Sequence, residues 1–158
     1  MSLAAGTKAP DFKAPIEGGG EISFKDFKGK WLVLYFYPKD NTSGCTAEAC
    51  SFRDSMGRLA SLGAAVVGVS PDSVKSHDNF KEKFQLNFNL VSDPDKKICT
   101  DYDIIGEKSL YGKKYIGIIR STYIIDGKGI IRYVFSNVKV DGHTDEVMAK
   151  LRELQLSL

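Results

Sequence analysis

The sequence predicts an α/β protein in which a central mixed β-sheet is flanked by helices, with a short β-hairpin extension at the N-terminus. Three observations carry that expectation. "WLVLYFY" (31–37) and "AAVVGVS" (64–70) are continuous apolar, β-rich runs, the pattern of strands buried on both faces. Between them lies a segment of helical composition that closes on Gly63, which argues a parallel pair joined by a crossover helix. Further on, "STYIIDGKGIIRYVFS" (121–136) reads as an antiparallel hairpin across an Asp126-Gly127 turn.

The remaining elements follow in chain order. "IEGGGEISF" reads as a turn between two short extended pieces. Pro38 ends the first buried strand, and "CTAEACSFRDSMGRLASLG" (45–63) is the first helix. "DSVKSHDNFKEKFQ" is a polar helix with Val74, Phe80 and Phe84 on its apolar side. "FNLVSD" is a short strand and "DKKICTDYDI" a short helix. The last helix starts near Asp141 and sets Val147, Met148, Leu151 and Leu154 along one side. This order is compatible with a thioredoxin-like fold.

Composition narrows the function classes. A chain of 158 residues predicts one domain over 1–158 with a core large enough to need no staples. A formal net charge of +2 gives no reason to expect nucleic acid or a membrane surface as partner. There is no apolar run of membrane-spanning length, and the first residues lack a basic start followed by an apolar stretch. Three cysteines make an odd number at low density, which points away from a secreted disulfide framework and toward cytoplasmic, reduced thiols. Glycine-rich phosphate-binding motifs are absent. His77, on a polar helix, and His143, ahead of the last one, are expected on the solvated surface.

The informative stretch is "YFYPKDNTSGCTAEACSFRD" (35–54), which holds Cys45 and Cys50. A strand ends, a short loop follows and a helix begins, with Thr42 or Ser43 as N-cap. Cys45 then sits in the first helical turn, where unpaired N–H groups and the helix dipole favour a thiolate, the nucleophilic form of cysteine. The alternative is a small buried hydrophobe. Five helical residues separate two Cα atoms by roughly 8.7 Å, and a disulfide wants less than about 7 Å. Cys45 and Cys50 therefore cannot bond while the helix start is intact; if they bond, it must unwind.

"P-K-D-N-T-S-G-C" (38–45) resembles the P-x-x-x-T-x-x-C signature of the peroxiredoxins, and "C-T-A-E-A-C" (45–50) resembles their peroxiredoxin Q, or bacterioferritin comigratory protein, subfamily. "R-S-T-Y-I-I-D" (120–126) is similar to the family segment whose arginine enters the active site. "A-P-D-F" (9–12), "F-K-G-K-W-L-V-L-Y-F-Y-P" (27–38) and "L-V-S-D-P" (90–94) extend the likeness over essentially the whole chain. The resemblance implies a thioredoxin-dependent peroxidase for hydrogen peroxide and small alkyl hydroperoxides. Cys45 would be the attacking thiol, and Thr42 would offer its hydroxyl to thiolate and peroxide. Arg120 would hold the thiolate anionic, with Arg53, Arg58 and Arg132 as rivals outside the family context. Pro38 would shield the pocket, Glu48 would orient the arginine, and Cys50 would resolve the oxidised sulfur as a disulfide, with Cys99, expected in the core, as a rival. The resemblance implies no metal, no organic cofactor and a monomer. A non-enzymatic redox sensor or holdase using the same thiol switch is the alternative.

Overall fold

The computed structural model describes residues 3–157. A hairpin of β1 (Lys13–Pro15) and β2 (Glu21–Ser23) precedes β3 (Trp31–Phe36), α1 (Ser43–Ser61), β4 (Ala64–Ser70), α2 (Val74–Phe84), β5 (Asn89–Ser92) and α3 (Lys97–Asp101). A second hairpin, β6 (Ile105–Leu110) and β7 (Lys113–Ile118), leads to β8 (Ser121–Ile125), β9 (Ile131–Phe135) and α4 (His143–Leu156). The central sheet runs in the order β5-β4-β3-β8-β9. β3, β4 and β5 are parallel and β8 is antiparallel to both of its neighbours, so the sheet is mixed as expected.

The alternation of β3 explains why its whole run is apolar. Val33 and Tyr35 face a core built with Ala49, Phe52 and Leu59 of α1 and Val147, Met148 and Leu151 of α4. Leu32, Leu34 and Phe36 face the opposite core, closed by Phe12, Ala14 and the Ile98–Tyr102 region around α3. Phe52 is fully buried and stacks on Tyr35 at 4.7 Å between ring centroids. Burial of such a ring contributes about 1.5–3 kcal/mol. It fixes the roll of α1 on the sheet, and hence the direction in which the helix start points.

Three expectations change. The β8–β9 connection is not a two-residue Asp126-Gly127 turn. Asp126 Oδ1 accepts from the Lys128 and Ile130 N–H groups, and the left-handed residue is Gly129, with φ 80°. Gly127 is needed for another reason: a Cβ there would lie 3.0 Å from the Gly29 carbonyl carbon. The β6–β7 hairpin has no counterpart in the sequence reading. Its strands expose most of their side chains, so they lack the alternation that marks a half-buried strand. The local signal is Tyr111-Gly112, both at positive φ, as a two-residue hairpin turn requires. Finally, His77 and His143 are not solvated; both are buried.

Candidate active site

The C-terminal end of β3 delivers the chain to the site. After Tyr37 the backbone turns through half-buried Pro38 and exposed Lys39 and reaches Asn41 in the left-handed region, φ 60°. Of the two N-cap candidates Thr42 and Ser43, Thr42 is the N-cap of α1, and its carbonyl accepts the first helical bond from the Thr46 N–H at 2.8 Å. Its hydroxyl does not cap the helix: it donates to the Lys39 carbonyl at 2.9 Å, and Thr42 is exposed. Cys45 thus lies in the first turn of α1, 2% exposed.

Arg120 arrives from the far end of the chain. The antiparallel register pairs Ser121 with Phe36, which sets the residue before β8 against the loop that follows β3. Arg120 Nη2 donates to Cys45 Sγ at 3.2 Å and Nη1 donates to Glu48 Oε1 at 2.6 Å. One guanidinium therefore bridges the thiol and a carboxylate one turn further along α1. Gly44 keeps this approach open, since a Cβ there would lie 3.3 Å from Nη2. Burial lowers the proton affinity of Arg120, but the charges of Glu48 and Cys45 outweigh it and the group holds its proton more tightly than usual.

Glu48 is 1% exposed, and burial pushes its carboxyl up to about 7 against the pull of Arg120. Its Oε2 has no hydrogen-bond partner among the described residues. Desolvation thus outweighs the ion pair here, although one carboxylate oxygen is tied to Arg120. Of the residues singled out in the sequence, Cys45, Glu48 and Arg120 form one contact cluster, with Thr42 and Pro38 on the loop leading into it. Cys50 is half-buried, unpaired and separated from Cys45 by uninterrupted helix. The rival arginines are engaged elsewhere: Arg53 with Asp54 and the Phe84 carbonyl, Arg58 with Ser55, Arg132 with Asp126.

Cys99 lies in the core on the other face of the sheet, 0% exposed. Burial, reinforced by Asp93, raises its thiol far above the ordinary range. A Cys99→Ser variant is expected to lose about 1–3 kcal/mol, since a hydroxyl replaces the buried sulfur, and to keep any peroxide turnover of the kind the resemblance implies. Denaturant unfolding and a coupled turnover assay check the two halves; lost turnover in a folded variant would restore Cys99 as a redox partner.

The placement of two further groups was not legible in the sequence. Lys108 of β6 is depleted of proton affinity by burial and by Arg120. With Arg120, Glu107, Ser109, Ile119, Asn137 and Val138 it lines an open cavity of about 340 Å³. His143 Nε2 meets Thr122 Oγ1 at 2.8 Å and ties the start of α4 to β8, beside a Ser51–Thr144 bond to α1. No local pattern in the sequence marks either role.

A thiol in the first turn of a helix, in contact with an arginine that also meets a buried glutamate, has the groups that sulfur redox chemistry would use. Comparison with known proteins agrees. The AhpC/TSA family model matches residues 5–134. Peroxiredoxin Bcp of Bacillus subtilis is 44% identical over 154 residues, 98% of each chain. The structure of a peroxiredoxin Q Cys→Ser mutant from Xylella fastidiosa superposes with TM-score 0.92 at 38% identity, covering 98% of this chain and 99% of that one. A bacterioferritin comigratory protein of Xanthomonas campestris, whose structures concern its alkyl peroxide reduction activity, superposes with TM-score 0.85 at 43% identity over 90% of each chain. This chain belongs to the AhpC/TSA family, among the peroxiredoxins of the Bcp, or peroxiredoxin Q, kind. It is a thioredoxin-fold thiol peroxidase. Among the described residues no helix is long and apolar enough to cross a membrane.

Proposed function

We propose that the chain works as one domain, 1–158, that reduces hydrogen peroxide and small alkyl hydroperoxides through Cys45 and is recycled through Cys50. The observation that carries this reading is the single guanidinium of Arg120 shared between Cys45 Sγ and Glu48 Oε1. The Cys45 thiolate attacks one peroxide oxygen. An S–O bond forms, the O–O bond breaks, and the leaving oxygen takes a proton and departs as water or an alcohol. Arg120, preorganised over the sulfur, stabilises the charge that moves onto the oxygens. Thr42, with its hydrogen already given to Lys39, presents oxygen lone pairs to the peroxide proton. Pro38 shields the pocket beside it.

Cys45 is left as a sulfenic acid. The Cys50 thiol then attacks it: an S–S bond forms, the S–O bond breaks, and water leaves. A thioredoxin-type dithiol reduces that disulfide by exchange and is itself oxidised. The chemistry draws on no metal or organic cofactor. The likeness to peroxiredoxin Q supports a monomer, and an odd, low cysteine count supports a reducing, cytoplasmic setting.

The deciding experiment is mass spectrometry after one equivalent of peroxide, paired with turnover under excess peroxide and a thioredoxin system. The expected results are a Cys45–Cys50 linkage and many equivalents consumed. Consumption that stops near one equivalent would instead mark a redox sensor or holdase. The linkage also requires the start of α1 to unwind, breaking several backbone bonds of roughly 1 kcal/mol each. Amide exchange is therefore expected to rise over residues 42–52 on oxidation while 31–37 stays protected. Unchanged exchange in the first segment would remove Cys50 as the local resolving thiol.

A further inference from the structure

The loop that carries Pro38 and Thr42 ends at the reactive sulfur, yet little of its own sequence holds it in shape. A buried polar network does so from below. Asp40, 6% exposed, accepts hydrogen bonds from Tyr37 Oη at 2.6 Å, Ser76 Oγ at 2.8 Å and His77 Nδ1 at 2.6 Å. Its backbone N–H donates to Asp72 Oδ2 at 2.7 Å, which also accepts from Ser70 Oγ. The other nitrogen of His77, Nε2, meets the Val91 carbonyl of β5 at 2.9 Å. His77 itself is fully buried. Asp40, Asp72 and His77 bring ligand-type atoms within 4.8 Å of one another, but these atoms are already engaged in the bonds just described.

Both ring nitrogens of His77 thus face acceptors, a carboxylate and a carbonyl. Only an imidazolium donates to both; either neutral tautomer turns a lone pair toward an oxygen. We infer that His77 is a positioning residue for peroxide reduction: as an imidazolium it clamps Asp40 to β5 and so holds the Pro38–Thr42 loop in the shape that presents Thr42 and Cys45 to the peroxide. The inference rests on the reading of Cys45 as the attacking thiol.

The charged groups around the ring are few. Asp40 faces it from the loop and Asp72 from the segment after β4, with the Tyr37 phenol beside it at the end of β3. Burial pulls the imidazole down, but the Asp40 hydrogen bond and charge, helped by Val91 and Asp72, outweigh it and the net direction is upward. A base with a raised folded pKa contributes stability that is complete below its unfolded value of about 6.5 and is lost as pH rises through the folded value. The clamp therefore slackens on the alkaline side.

The test compares two rate constants for the reduced protein across neutral to alkaline pH. One is peroxide reduction and the other is alkylation by iodoacetamide, which follows the thiolate but does not need the loop. In the wild type their ratio is expected to fall as pH rises, in step with the His77 ring titration seen by NMR. His77→Gln, which cannot serve both acceptors, is expected to lower peroxide reduction about ten- to a hundredfold with alkylation unchanged. Asp40→Asn replaces the carboxylate oxygen by an amide donor that suits a neutral His77, so its ratio is expected to be flat with pH. A His77→Gln variant within twofold of wild type, a parallel loss of both reactivities, or an Asp40→Asn ratio that keeps the wild-type alkaline fall would each overturn the clamp. If His77→Gln fails to fold, the Asp40→Asn profile decides alone. A Cys45→Ser control separates the two readings: peroxide reduction persisting there removes Cys45, whereas an inert control beside a wild-type-like His77→Gln removes only the clamp.

Discussion

Cys45→Ser is expected to stop peroxide consumption altogether while leaving the fold in place. A serine hydroxyl at its ordinary pKa is a poor nucleophile toward an O–O bond and cannot form a sulfenic acid. The fold tolerates the change, because Arg120 Nη2 can donate to the new oxygen as it does to Sγ. A loss of ~1 kcal/mol would lower the melting temperature by about 2–4 °C. Cys50→Ser is the complement. Its first equivalent of peroxide is consumed at the wild-type rate, after which Cys45 accumulates as sulfenic acid and turnover with a dithiol ends. Stopped-flow peroxide consumption and mass spectrometry of the two variants measure both halves. Wild-type turnover in either folded variant would contradict the two-cysteine cycle.

Arg120→Met is expected to cost about 10²–10³-fold in the rate constant for peroxide reduction, the usual effect of deleting a preorganised donor aimed at developing charge. The effect has two sources. The donor 3.2 Å from Cys45 Sγ disappears, and Glu48 loses the cation that pairs with it. With burial already raising that carboxyl to about 7, the glutamate in the variant is expected to be protonated and neutral at neutral pH. Arg120→Lys should fall between, since one ammonium reproduces the charge but not a fork that reaches two partners at once. Arg120→Met reducing peroxide within twofold of wild type would remove the arginine from the mechanism.

How much of this was legible depends on the distance over which each feature is encoded. β3 and β4 were readable residue by residue, because a strand buried on both faces writes itself as an unbroken apolar run. The 38–45 octapeptide was readable because loop, cap and thiol are adjacent. Arg120 was found only through resemblance; nothing in "IIRSTY" says that its guanidinium will meet a sulfur 75 residues away. His77 was misread for the same reason. Its helix is polar overall, and the carboxylate that makes its burial tolerable lies 37 residues earlier, in the active-site loop. The β6–β7 hairpin was missed because solvent, not a core, covers most of its side chains.

The register that joins Ser121 to Phe36 also governs when reactivity appears as the chain folds. α1 can form early, since helices are local and fast, and a bare helix start already offers the sulfur a favourable first turn. The arginine arrives only with the pairing of β3 and β8, a contact of long sequence separation and therefore of the slow class. On the ribosome, at about 5–20 residues per second, the sulfur is exposed for several seconds before Arg120 has even been added. During that interval the helix start is the sulfur's one source of activation, and the guanidinium contact seen in the finished fold is missing. If Arg120 sets the selectivity of Cys45 as proposed, that selectivity comes into being only with the completed sheet, and the nascent chain carries its sulfur unguarded until then.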